Sequence, residues 1–208
     1  MKVLLVNGSP NEAGCTYTAL AEIAKKLNAE GVETEIFWIG RQPIGGCAAC
    51  KGCRNLGRCA FDDCVNEFAE KAKTADGFVF GSPVHFAGIS GNMKCFMDRL
   101  FYSAPSDTFR LKPAGVVVSA RRAGTTAAYE QLLKYPAYAE MPIVSSRYWT
   151  MVHGSCPDDV RKDEEGMATM RVLANNLAYA LRCKNAAQKQ NVCLPEPEKP
   201  AKTNFIRG

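Results

Sequence analysis

Five of the ten cysteines, Cys47, Cys50, Cys53, Cys59 and Cys64, fall within 18 residues, while Cys15, Cys95, Cys156, Cys183 and Cys193 are scattered. Four of the five are spaced Cys47-x2-Cys50-x2-Cys53-x5-Cys59. Such a compact, overlapping run is how one short loop wraps an iron-sulfur cubane. Structural zinc more often uses two separated Cys-x2-Cys pairs, and His85 and His153 are the only histidines available for a mixed site. Free or redox-active thiols, or plain packing residues, are the other readings of this loop. A disulfide framework fits poorly, because disulfides belong mainly to small exported domains.

A second constellation is Gly8-Ser9-Pro10-Asn11-Glu12-Ala13-Gly14-Cys15-Thr16-Tyr17-Thr18. The hydroxyls of Ser9, Thr16 and Thr18, the amide of Asn11 and backbone N–H groups at a helix start suit a terminal phosphate monoester without help from lysine. The segment lacks both the Gly-Lys-Ser/Thr ending of a P-loop and the G-x-G-x-x-G dinucleotide pattern. Capping of a turn and a helix by Ser9 and Thr16 is the plain alternative. No cysteine has an arginine six residues on, so a Cys-x5-Arg phosphatase loop is excluded. In Gly81-Ser82-Pro83-Val84-His85-Phe86-Ala87-Gly88, Pro and Gly flank His85 and Phe86, so the backbone can approach the edge of a flat ring. Ser119-Ala120-Arg121-Arg122-Ala123-Gly124 would bring two guanidinium groups to the oxygens of such a ring or to a nicotinamide cofactor's phosphate, with a solvated turn as the alternative.

These loops must be carried by regular elements. Lys2 to Asn7 reads as a strand buried on both faces, and Val32 to Ile39, Gly77 to Gly81, Ala114 to Ser119 and Pro142 to Ser146 read as four more. Helices are expected at about 16–30, 64–74, 91–103, from 125 onward and 157–183, the first with Leu20, Ile23, Ala24 and Leu27 on one face. Five alternations of strand and helix predict an α/β domain with a doubly wound, flavodoxin-like five-stranded parallel sheet in the order 2-1-3-4-5. Ligands of such a sheet bind beyond the carboxyl ends of its strands, where the loops above fall. The domain is expected over 1–183, with the cysteine-rich insertion at 40–63 and an extended tail at 184–208 that holds Pro195, Pro197 and Pro200. Phe205 and Ile206 suggest that the tail's tip docks, a disordered terminus being the alternative.

A chain of 208 residues with 47% hydrophobic content makes one domain with a sizeable core. Its apolar runs are far below the roughly 20 residues of a membrane span. MKVLLVNGSP lacks the h-region of a signal peptide and reads as a first strand, so the protein is expected in the cytoplasm, away from membranes. The net charge of +5 is spread along the chain and gives little reason to expect nucleic acid as a partner.

GSPNEAGCTYTAL, GSPVHFAGISGNMKCFMDRL and VVVSARRAGTT together resemble the NADPH-dependent FMN reductase family of flavodoxin-like proteins, near its iron-sulfur flavoprotein and multimeric flavodoxin branches, over about residues 1 to 183. The resemblance implies FMN, its phosphate on Ser9, Asn11, Cys15, Thr16 and Thr18. The ring would lie against Ser82, Pro83, Val84, His85, Phe86 and Gly88 and the loop carrying Ser119, Arg121, Arg122 and Gly124. Two positions depart from the common pattern, Cys15 where many members have Asn or Ser and His85 where Tyr is frequent. A [4Fe-4S] cluster on Cys47, Cys50, Cys53 and Cys59 is likewise implied, with Cys64 left over. The expected activity is oxidoreduction, with electrons passing from NAD(P)H through flavin to a small-molecule acceptor (a quinone, nitro or azo compound). His85 is then the candidate proton donor, and Trp149 and His153 are further candidates for lining the substrate face. The alternatives are an electron carrier between ferredoxin and another partner, and a thiol-based redox sensor. The family also implies a homodimer or homotetramer, to which the Pro-rich tail would contribute an arm.

Overall fold

The computed structural model describes residues 1–198. In chain order the elements are β1 Lys2–Asn7, α1 Cys15–Ala29, β2 Glu33–Trp38, α2 Cys53–Leu56, α3 Cys64–Lys73, β3 Gly77–His85, β4 Gly88–Ile89, α4 Gly91–Ser103, β5 Ala114–Ala120, α5 Thr125–Tyr138, β6 Met151–His153, α6 Pro157–Lys162 and α7 Glu164–Lys189. The parallel sheet runs β2-β1-β3-β5-β6, with β4 folded back antiparallel on the end of β3. Setting that two-residue strand aside, the winding is the expected 2-1-3-4-5.

The alternation of side chains along each strand builds two cores. Val3, Leu5, Val79 and Val117 face α1 and α7, while Leu4, Val6, Phe78, Phe80 and Val116 face α3, α4 and α5. β1 and β5 are central and covered on both sides, which is why they read as unbroken apolar runs. The second core is rich in aromatic pairs, Phe68 lying edge-on to Phe96 with centroids 5.5 Å apart. No helix among the described residues is long and apolar enough to cross a membrane.

Three boundaries differ from the expectations. Residues 142–146 do not form the last strand, for Ile143 makes a single bridge to Ala114 before the chain leaves the sheet. It leaves because Ser146 Oγ donates to Thr169 O (2.8 Å) and Asn176 Nδ2 to Ser145 O (2.8 Å), which ties the segment to α7. The ladder resumes at β6. The helix expected over 157–183 is broken at Asp163, whose carboxylate accepts from Gly166 N (2.9 Å) as the N-cap of α7 and from His153 N (2.7 Å). α7 then runs to Lys189, since Asn185-Ala-Ala-Gln-Lys189 contains no breaker. Beyond it Arg110 Nη2 donates to Pro195 O (2.9 Å), so the start of the tail lies on its own chain. Phe205 and Ile206 lie outside the described residues.

Candidate functional site

The loop after β1 is built by Asn7. Its buried side chain accepts from Ser9 N (3.1 Å) and donates to Glu12 O (2.9 Å), while Ser9 Oγ accepts from Asn11 N (3.1 Å). From outside, Trp38 Nε1 donates to Ser9 O (2.8 Å). Gly8 permits the turn, because a Cβ there would lie 2.5 Å from Met93 Sδ and 2.8 Å from Gly81 O. α1 begins without a side-chain cap and with no acidic residue in its first turn. Its first helical bond is Thr18 N to Gly14 O (3.0 Å), so the amides of Cys15, Thr16 and Tyr17 precede the hydrogen-bond ladder.

A cleft of about 260 Å³ opens in front of these amides. Ser9 and Asn11 line it from the β1 loop, Cys15 and Thr16 from the start of α1, Pro83, Val84 and His85 from the end of β3, Ser119 and Ala120 from the end of β5 and Arg121 from just beyond it. Thr16 and Ser119, 103 positions apart, share a buried hydroxyl hydrogen bond of 2.8 Å. Gly154 and Ser155 close the far side. They escaped sequence reasoning because the last strand is expected too early in the chain; a Gly-Ser pair directly after a strand's last residue, as at Gly8-Ser9 after Asn7, is the available signal. Cys15 Sγ donates to Gly154 O (3.6 Å), and burial, followed by the neighbouring Cys156, pushes this thiol's pKa up. The protonated thiol puts no negative charge beside the bare helix end.

The segment read as a loop after the third strand is partly strand. Ser82 and Pro83 pair with Val118 and Ser119, and β4 returns after a two-residue turn at Phe86 and Ala87. Both turn residues have positive φ, 49° and 60°, the conformation that tight hairpins require and that costs non-glycine residues energy. Phe86 at the tip is wholly exposed. The turn is pressed by Gly124, itself at φ 95°, where a Cβ would lie 2.9 Å from Ala87 Cα. Gly124→Ala is accordingly expected to lose about 2 to 3 kcal/mol of stability, combining the left-handed penalty with overpacking, as read by urea unfolding.

Not every predicted residue reaches the cleft. Thr18 Oγ1 turns back to Gly14 O (3.1 Å), and Ser82 Oγ donates to Pro83 O (2.9 Å) while accepting from Ser90 N (3.0 Å). Phe86, Gly88, Arg122 and Gly124 do not line it. Trp149 and His153 border a separate recess with Tyr148 and Asp163.

The cysteine loop forms a second centre. Cys47, Cys50, Cys53 and Cys59 line one recess together with Phe61, Arg99 and Tyr102. Left-handed Ala49 (φ 51°) and Lys51 (φ 60°) wind the chain around Cys50, and Gly57 (φ 65°) ends the single turn that starts at Cys53. Among the described residues no three His, Cys, Asp or Glu side chains converge where one metal ion would sit. Buried Asn66 clamps the return of the loop, accepting from Cys59 N (3.0 Å) and donating to Cys59 O (3.0 Å) and Phe61 O (3.1 Å). Cys64 begins α3 outside the recess, and burial pushes its thiol up to about 11. Asn66 and Arg99 were missed; a charged residue on the apolar face of α4, between Met93, Phe96, Met97 and Leu100, was the signal for Arg99.

The family model described as NADPH-dependent FMN reductase matches residues 1–155. The chain is 30% identical over 189 residues to an iron-sulfur flavoprotein of Methanocaldococcus jannaschii, covering 88% of this chain and 98% of that one. Among solved structures it resembles RosB with a bound 8-demethyl-8-formylriboflavin-5'-phosphate, with a TM-score of 0.69 and 15% identity over 100% of this chain and 94% of that one. A flavodoxin from the domain Archaea gives a TM-score of 0.60 at 14% identity, covering 88% and 99%.

Proposed function

The chain belongs to the NADPH-dependent FMN reductase family, and from that premise we propose that its cleft holds FMN and that its cysteine loop holds a [4Fe-4S] cluster. The protein is an oxidoreductase of FMN and NAD(P)H; the proposal adds which residues serve it and where the electrons go. The observation that carries it is the meeting of an uncapped helix start, with no acidic residue in its first turn, with Ser9, Asn11, Thr16 and Ser119 at the carboxyl ends of β1 and β5.

FMN when bound supplies the redox chemistry, accepting hydride from NAD(P)H and releasing electrons singly or in pairs. The chain's part is to bind, orient and shield. Ser9 Oγ, the Asn11 amide and the backbone N–H groups of Cys15, Thr16 and Tyr17 receive the phosphate dianion, whose charge the α1 dipole favours. Thr16, fixed by Ser119, keeps that donor set in register with the ring site. Pro83, Val84 and His85 wall one side of the cleft, and the Gly124 contact holds their hairpin in its strained turn. Arg121 brings positive charge to the cleft, complementary to ring carbonyls or to a nicotinamide cofactor's phosphate. His85 is the histidine that lines the cleft and is placed to hand a proton to an acceptor, whereas His153 is drawn to Asp163. Four cysteines lining one recess supply the donor chemistry of a multi-iron centre.

The acceptor is a quinone, nitro or azo compound in one form of the proposal. The cysteine recess favours a second form, in which the protein relays single electrons between a ferredoxin and another partner. Anaerobic purification followed by flavin, iron and sulfide assays and NAD(P)H turnover separates them. One FMN, about four irons per chain and rapid turnover with a small acceptor are expected for the reductase. Full iron with negligible NAD(P)H oxidation leaves the carrier, and a chain that binds no flavin overturns both.

A further inference from the structure

Arg99 carries a full charge into the apolar layer under the cysteine loop, with its side chain 1% exposed. Its donors are all engaged on that loop. Nε donates to Cys59 Sγ (3.2 Å), Nη1 to Asp63 Oδ2 (2.6 Å) and Gly45 O (3.4 Å), and Nη2 to Asp63 Oδ1 (2.9 Å) and Phe61 O (2.9 Å). Both ends of the loop are thereby tied to α4. The same helix is capped by Ser90, whose Oγ donates to Gly8 O (2.7 Å) in the loop after β1, so α4 joins the two centres. Of the four thiols lining the recess, Cys59 is the one that receives a side-chain hydrogen bond among the described residues.

A tether alone would need the Asp63 fork and the backbone carbonyls but not a donor directed at sulfur. We propose that Arg99 is a positioning residue that raises the reduction potential of the centre held by the cysteine loop, acting through its Nε–H···Sγ bond to Cys59. The inference rests on the proposed cluster. Reduction adds an electron to the cluster and its thiolates, so a hydrogen bond to sulfur and a fixed positive charge at close range stabilise the reduced form more than the oxidised one. The Asp63 carboxylate, on the other side of the guanidinium, offsets part of that charge.

The test is a redox titration of the anaerobically reconstituted full chain, following the reduced cluster by electron paramagnetic resonance and the flavin by absorbance in one sample. Iron content is measured first. Arg99→Gln with wild-type iron content is expected to shift the cluster's reduction equilibrium about tenfold toward the oxidised form, about 59 mV for one electron, with the flavin midpoint unmoved. Asp63→Asn keeps an oxygen to cap Val65 N and is expected to move the cluster potential the other way. An unchanged cluster potential in iron-replete Arg99→Gln overturns the proposal. Where Arg99→Gln does not hold iron, Asp63→Asn decides, and an unmoved or lowered potential there overturns it too. A wild-type chain that binds no iron removes the cluster itself and the proposal with it, an outcome that the iron assay distinguishes from an unshifted potential.

Discussion

Ser9→Asp is expected to weaken FMN binding by two to three orders of magnitude while leaving the sheet intact. Ser9 is buried and lines the cleft, with its Oγ accepting from Asn11 N (3.1 Å). An aspartate oxygen can take over that acceptor role, because Asx side chains make the same local turn. The loop should therefore keep its shape. What changes is electrostatic: a carboxylate about 4 Å from a phosphate at an effective dielectric of about 20 costs about 4 kcal/mol per pair of unit charges. α1 has no basic residue in its first turn to absorb that cost; the site relies on amides and hydroxyls. Ser9→Ala, which deletes one hydroxyl without adding charge, should cost only about tenfold. Fluorescence titration of the flavin-free protein with FMN measures both. Wild-type affinity in Ser9→Asp would place the phosphate elsewhere.

The second large effect concerns the cysteines. Serine at Cys47, Cys50, Cys53 or Cys59 is expected to abolish the iron complement while FMN stays bound at full stoichiometry, because the recess and the cleft proposed for FMN share no lining residue. Cys64→Ser should behave differently. Cys64 lies outside the recess, and burial holds its thiol protonated up to about 11, so it is a poor substitute ligand. The variant should retain its iron. The sign of the pH effect follows from the same burial. An unfolded chain ionises this thiol near its ordinary value of 9, so the stability contributed by the protonated form is present below that pH and is lost as pH rises toward 11. In Cys64→Ser that alkaline loss should shrink, which unfolding curves recorded across this interval would show. Loss of iron in Cys64→Ser, or retention in Cys53→Ser, would reassign the ligand set.

Much of the architecture was legible from the chain. Val3-Leu4-Leu5-Val6 announces a strand covered on both faces, and the Gly8-to-Thr18 loop that follows it carries its chemistry in residue types alone. Ser9, Asn11, Cys15, Thr16, Pro83, Val84, His85, Ser119 and Arg121 do line one cleft. Residues 142–146 misled because a short segment with apolar Ile143 and Val144 suits a strand or a tether equally well, and Ser146 decides for the tether only by finding Thr169. Gly154 and Ser155 were lost with that misplacement. Thr18 and Ser82 have the right chemistry for the cleft and spend it on their own backbone.

The sequence by itself determined the kinds of chemistry present, a lysine-free loop of hydroxyls and amides, a Pro- and Gly-flanked segment carrying His85 and Phe86, and four closely spaced thiols, together with the order of strands that carries the first two to one end of the sheet. Those features are local, governed by spacing over a few residues and by the periodicity of burial. Only the tertiary structure decided that Thr16 meets Ser119, that Gly124 presses on Ala87 and that Arg99 reaches Cys59. Each pair lies tens of residues apart, and its distance depends on how helices seat on the sheet. Packing sets that, and no local pattern encodes it.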